Sequence, residues 1–133
     1  MFARLLAPTL EVQAHCDLPC GVYDPAQARY EAESIKAIIG KVADNADPDF
    51  RARAILIKEE RSQIVKHHLT VLWTDYFKAP HFEKYPQLHN LVNEACKLAS
   101  GTGTKATFDA QKADELIAKI DEIAEIFWET KKS

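Results

Sequence analysis

Residues 47–77 read DPDFRARAILIKEERSQIVKHHLTVLWTDYF. Asp47-Pro48 is a helix-start signal, a capping side chain followed by a proline whose missing N–H costs nothing at the first helical position. Apolar residues then recur at spacings of three and four: Ala54, Ile57, Ile64 and Leu72, widened by Val65, Leu69 and Val71. This periodicity predicts one long amphipathic helix through Tyr76 or Phe77, more than ~40 Å at ~1.5 Å per residue. Two residues break its stripe, Arg61 and His68.

The same grammar extends upstream. Asp24-Pro25 opens a first helix with Ala28, Ile35, Ile38 and Val42 on one face and Ala32 and Ile39 beside it. Its stripe also holds one charge, Glu31, and it fades by Ala43-Asp44. Downstream, Lys78 to Pro86 reads as a connector in which two prolines break helicity. A third helix carries Leu88, Leu91, Val92, Ala95, Leu98 and Ala99. Ser100-Gly101-Thr102-Gly103-Thr104 is a turn. It is no phosphate loop, because the preceding strand and the Gly-Lys-Ser/Thr ending are absent. A fourth helix begins near Thr107 or Asp109 and carries Ala113, Leu116, Ile117, Ile120, Ile123, Ala124 and Phe127. Four amphipathic helices with short connections predict an all-α, antiparallel up-down-up-down four-helix bundle.

At 133 residues the chain suits one domain or one subunit of an oligomer. A net charge of −3, with no basic cluster, argues against nucleic-acid binding. No apolar run approaches the ~20 residues of a membrane span. Three cysteines, two of them four residues apart, make a poor disulfide framework. They fit thiolates in a reducing, cytoplasmic compartment, with Cys96 a buried thiol on the third helix.

Chemistry concentrates in His15-Cys16-Asp17-Leu18-Pro19-Cys20-Gly21-Val22-Tyr23, where an imidazole, two thiols and a carboxylate fall within six residues. Pro19 and Gly21 make this stretch a loop. Structural zinc would need a second ligand pair, which is missing. A bundle di-metal site would need Glu-x-x-His, which the chain does not contain. His67, His68, His81 and His89 lack metal spacing and read as surface or packing residues.

Residues 1–14 resemble a short leader, with Pro8 interrupting an apolar stretch too short for export. Cleavage after Ala14 by a maturation peptidase would give His15 a free amine. That amine, the Cys16 amide and the two thiolates could then chelate in a plane, with the imidazole axial. Square-planar nitrogen–sulfur ligation suits Ni(II) or Cu(II). Two anionic thiolates and an amide would stabilise the higher oxidation state.

The stretch from His15 to Tyr23 resembles the nickel-binding hook of nickel superoxide dismutases, and the resemblance runs through Asp24-Pro25-Ala26-Gln27-Ala28-Arg29 and across the helical remainder. It implies a leader of residues 1–14 and a bundle domain of residues 15–133 with an N-terminal metal-binding hook at 15–23. It implies a homohexamer holding one nickel ion per subunit on His15, Cys16 and Cys20. The activity implied is disproportionation of superoxide to dioxygen and hydrogen peroxide, with nickel alternating between Ni(III) and Ni(II). A cis peptide bond before Pro19 is implied as well. Tyr23 would close the hook over the metal, and Asp17 would contact the substrate path. Glu31 would accept a hydrogen bond from the His15 imidazole, with Arg61 joining from a neighbouring subunit; read alone, these two charges make a structural salt bridge or lie exposed at the edge of their stripes. Tyr76 and Lys78 match residues near the site. A dithiol redox protein working through Cys16 and Cys20, or a non-catalytic nickel-binding helical protein, are the alternatives.

Overall fold

A computed structural model describes residues 21–132. The helices are α1 (Ala26–Ala43), α2 (Pro48–Val71), α3 (Ala79–Lys84), α4 (Leu88–Leu98) and α5 (Ala110–Lys132). The starts follow the capping signals: Asp24 Oδ1 accepts from the Ala26 N–H at 2.8 Å, and the Asp47 side chain accepts from the Asp49 N–H at 3.0 Å. Asp109 does the same for Gln111 at 2.9 Å.

The four long helices pack in a ring, α1 on α2 and α5, and α4 on α5 and α2. Cross-helix pairs set the directions. Arg29 meets Asp121 while Lys36 meets Asp114, so α1 and α5 run antiparallel. Lys119 meets Glu94, and Tyr85 at the end of α3 meets Glu129, so the chain entering α4 runs antiparallel to α5. The core between them holds Ile35, Val65, Leu69, Leu88, Leu116, Ile120, Ile123 and Phe127, all fully buried. The expected bundle is present.

Three details depart from the sequence reading. First, the connector contains a helix, α3. Pro80 sits in its first turn, where no helical acceptor needs its missing N–H, so it opens a helix instead of breaking one. Second, α2 does not run on unchanged to Tyr76: residues Leu72–Tyr76 form a π turn, closed by the Phe77 N–H on the Leu72 carbonyl at 2.9 Å. Such turns change the direction in which following side chains point. Third, the buried stripe of α2 includes Lys58 and Ser62, while Ile57 and Ile64 are only half-buried. The Lys58 ammonium donates to the Thr104 carbonyl and to that of Lys105 at 2.7 Å, and Ser62 Oγ meets Thr104 Oγ1 at 2.8 Å. A buried cation is tolerated where carbonyl oxygens replace its water, and here they come from the 100–105 turn.

Candidate functional site

The described chain begins at one end of the bundle, and so does the cleft. An open cavity of about 330 Å³ is lined by Gly21, Tyr23, Asp75, Tyr76, Lys78 and His81. Three separate pieces of chain supply them: the lead-in to α1, the π turn ending α2, and the first turn of α3.

Tyr76 is the centre of the wall. Its ring lies 4.4 Å from Phe127, 5.1 Å from Phe77, 5.6 Å from Tyr23 and 5.8 Å from His81, centroid to centroid. Its hydroxyl is 2.7 Å from Thr130 Oγ1. Thr130 in turn donates to the Phe127 carbonyl at 2.7 Å, which leaves Tyr76 as the donor to Thr130. The π turn explains the placement, since it comes immediately before the chain leaves the bundle.

The last turn of α5 closes the other side. Lys131 Nζ donates to the Gly21 carbonyl at 3.4 Å and stands 5.2 Å from the centre of the Tyr76 ring. Gly21 has φ +74°, a left-handed conformation that a side chain would strain. Among the described residues, Lys78 and Asp75 line the cleft and Lys131 borders it, which together leave one net positive charge, although the chain as a whole is acidic.

The sequence-derived residues thus divide. Tyr23, Tyr76 and Lys78 come together at the cleft. Glu31 and Arg61 form a pair of their own: Arg61 Nη1 lies 3.1 and 3.3 Å from the two carboxylate oxygens. Fifteen residues of helix separate Arg61 from Tyr76, roughly 22 Å at ~1.5 Å per residue. The resemblance implied an arginine from a neighbouring subunit; here the pair closes within one chain, because α1 and α2 are adjacent and antiparallel. Neither charge is fully buried, with 34% of the Arg61 and 21% of the Glu31 side chain exposed. They sit at the edge of the stripes they interrupt.

His15, Cys16, Asp17, Pro19 and Cys20 lie outside the described residues, as does the peptide bond before Pro19. Among the described residues, no group of three His, Cys, Asp or Glu side chains could hold a metal ion. Cys96 is half-buried on α4, and burial raises its thiol pKa. His89 is engaged by the Trp73 indole N–H at 2.9 Å and by the Phe82 ring at 3.9 Å.

The sequence model of nickel-containing superoxide dismutases matches residues 10–131. The chain belongs to the nickel-containing superoxide dismutase family. It is 60% identical over 134 residues to a Streptomyces coelicolor superoxide dismutase [Ni], and 61% identical over 136 residues to that of Streptomyces seoulensis, each covering 100% of both chains. Among solved structures, a native nickel superoxide dismutase superposes with a TM-score of 0.86 at 57% identity, over 90% of this chain and 100% of that one. A nickel-containing superoxide dismutase with oxidised-state ligation gives 0.86 at 60%, with the same coverage.

For a nickel-containing family, the fit rests on donor chemistry. Two thiols and an imidazole within six residues are soft and borderline donors that suit nickel. Gly21, covalently next to Cys20, lines the cleft. Sequence reasoning missed His81, Asp75, Thr130 and Lys131. For His81 a signal existed, because it stands at the third helical position after Lys78, where a side chain can reach back to the cap. For Lys131 none did: its partner lies 110 residues away.

Proposed function

We propose that this chain disproportionates superoxide to dioxygen and hydrogen peroxide with one nickel ion held by His15, Cys16 and Cys20. The observation that carries this is full-length identity of 60% to a superoxide dismutase [Ni], in a chain whose N-terminal stretch holds the donor set. When bound, nickel supplies the one-electron couple that both half-reactions need.

The chain's own residues do the rest. Lys78 and Lys131 draw a small anion to the cleft against a net acidic surface. Tyr23, half-buried at the mouth, restricts access. Tyr76, fixed by Thr130 and Phe127, holds Tyr23 in place from behind. Asp17 shapes the substrate path. Glu31 accepts from the His15 imidazole and fixes its tautomer, and the Arg61 guanidinium orients that carboxylate.

Maturation by cleavage after Ala14 belongs to the same proposal. The solved relatives are covered in full by about nine tenths of this chain, leaving a remainder the size of residues 1–14. One solved variant of a relative replaces a histidine at its first position by alanine; others alter an aspartate at its third and a tyrosine at its ninth. Counted from His15, the third and ninth residues are Asp17 and Tyr23, which supports reading His15 as the mature N-terminus.

A homohexamer in the cytoplasm completes the reading. Leu56, Tyr30 and Val22 are 71%, 68% and 77% exposed and Trp128 is 48% exposed, apolar surface of the kind that subunit contacts cover. No helix among the described residues is long and apolar enough to cross a membrane.

The test is superoxide consumption by residues 15–133 with nickel, without nickel, and with one added residue before His15. Turnover is expected in the first case alone. Activity that survives without metal would point to a dithiol mechanism, and an inactive nickel-loaded chain to a non-catalytic nickel protein.

A further inference from the structure

Lys78 is exposed at the cleft, and its long side chain can sample many positions. What fixes its place is the backbone that carries it. The Lys78 N–H donates to His81 Nδ1 at 3.2 Å, and the His81 N–H donates back to the Lys78 carbonyl at 2.8 Å. These reciprocal bonds hold Lys78 extended, at φ −128° and ψ 168°, as the cap of α3. Because Nδ1 is the acceptor, the neutral imidazole carries its proton on Nε2.

The imidazole is itself held. It stacks on Tyr76 at 5.8 Å and 22°, and meets Phe77 edge-on at 5.9 Å and 87°. Phe77 is 3% exposed and belongs to the core. A continuous line of contact therefore runs from the core through Phe77 to His81, and from His81 to the backbone of Lys78. The adjacent Pro80 has no N–H with which to share in this cap. His81 also lines the cleft with Tyr23 and Lys78.

We propose that His81 is a positioning residue for anion capture: by capping α3 it holds Lys78 so that the ammonium stands at the cleft mouth. This rests on the superoxide dismutase reading above. It assigns His81 no contact with the reacting atoms. The Tyr76 stack offers a competing route for His81 to act, through the aromatic wall, so the test must separate the two.

Two variants distinguish them. Leucine at 81 removes the acceptor; glutamine can still reach the cap N–H from the third helical position. In metal-free protein, hydrogen exchange at the Lys78 amide should accelerate roughly tenfold or more in H81L and stay near wild type in H81Q, because only the former loses the bond that protects it. In nickel-loaded residues 15–133, H81L should lower kcat/KM about threefold to tenfold and flatten its decline with ionic strength, as expected when one steering charge is misplaced. H81Q should restore most of both. In a K78Q background, H81L should add less than about a twofold further loss, since residues acting through one contact are not additive.

Unchanged Lys78 exchange in H81L would overturn the inference. So would an H81L defect of full size in the K78Q background, which would put His81's role in the aromatic wall. An inactive nickel-loaded wild type would overturn the dismutase reading and the role in capture with it. The exchange measurement would still decide whether His81 holds Lys78.

Discussion

Arg61 Nη1 lies within 3.3 Å of both carboxylate oxygens of its own chain's Glu31. The pair is partly open to water, so its contribution to stability should be small. A double-mutant cycle with Glu31→Gln and Arg61→Gln should give a coupling energy below about 1 kcal/mol. Turnover should respond far more. If Glu31 orients the His15 imidazole, Glu31→Gln should reduce kcat roughly 10- to 100-fold at full nickel loading. Folding titrations and superoxide kinetics on the same variants check this. Equal, small effects on both would make the pair a structural salt bridge alone.

Lys58 offers a prediction with a sign. The residue is 1% exposed, and burial lowers its pKa from the ordinary value of 10.5. Below the lowered value both folded and unfolded chains are protonated, and the cost of burying the charge is constant. Between the lowered value and 10.5 the unfolded chain binds more protons, so stability should rise with pH across that alkaline window. Lys58→Met should abolish this rise. It should also cost about 1–3 kcal/mol at neutral pH, because the Thr104 and Lys105 carbonyls lose their donor. Denaturant unfolding from neutral to alkaline pH, at fixed protein concentration, measures both effects.

The turn that Lys58 grips tolerates a side chain at one glycine and not at the other. A Cβ on Gly103 would fall 2.0 Å from the Leu98 carbonyl oxygen, while one on Gly101 meets nothing within 4 Å. That carbonyl is fixed by the Thr104 N–H at 2.7 Å and cannot easily retreat. Gly103→Ala should therefore destabilise by about 3 kcal/mol or more, and Gly101→Ala by less than about 1 kcal/mol. Parallel denaturation midpoints for the two variants would settle it.

These residues also mark where sequence reasoning reaches and where it stops. Helices α1, α4 and α5 announce themselves because Ile35, Leu91 or Ile120 repeats at a period that only one helix face can satisfy. The apolar pattern of α2 points one position away from the buried Lys58 and Ser62. Polar residues are assigned outward by default, and their partners at 104 and 105 belong to a turn distant in sequence. The family pattern points to Tyr23, Tyr76 and Lys78 as candidate site residues. The pattern could not say that a π turn and α3 bring them to one cleft, nor that His81 caps that helix. Local signals specify elements; the cleft depends on contacts between residues up to 110 positions apart.

Lys131 is the extreme case. It lies in the last turn of α5, yet it donates to the carbonyl of Gly21 and covers the ring of Tyr76. It is exposed, so its loss should leave folding stability within about 0.5 kcal/mol. Its effect should fall on the N-terminal segment instead. Lys131→Gln removes the charge over the ring but keeps an amide donor, whereas Lys131→Leu removes both. If the bond to Gly21 anchors the segment that carries Cys20, the leucine variant should release nickel to a competing chelator about threefold to tenfold faster than wild type, with glutamine in between. If the charge alone matters, both variants should retain nickel and lose the same share of kcat/KM at low ionic strength. Chelator competition and salt-dependent kinetics on the two variants separate these outcomes, and wild-type nickel retention in Lys131→Leu would refute the anchoring role.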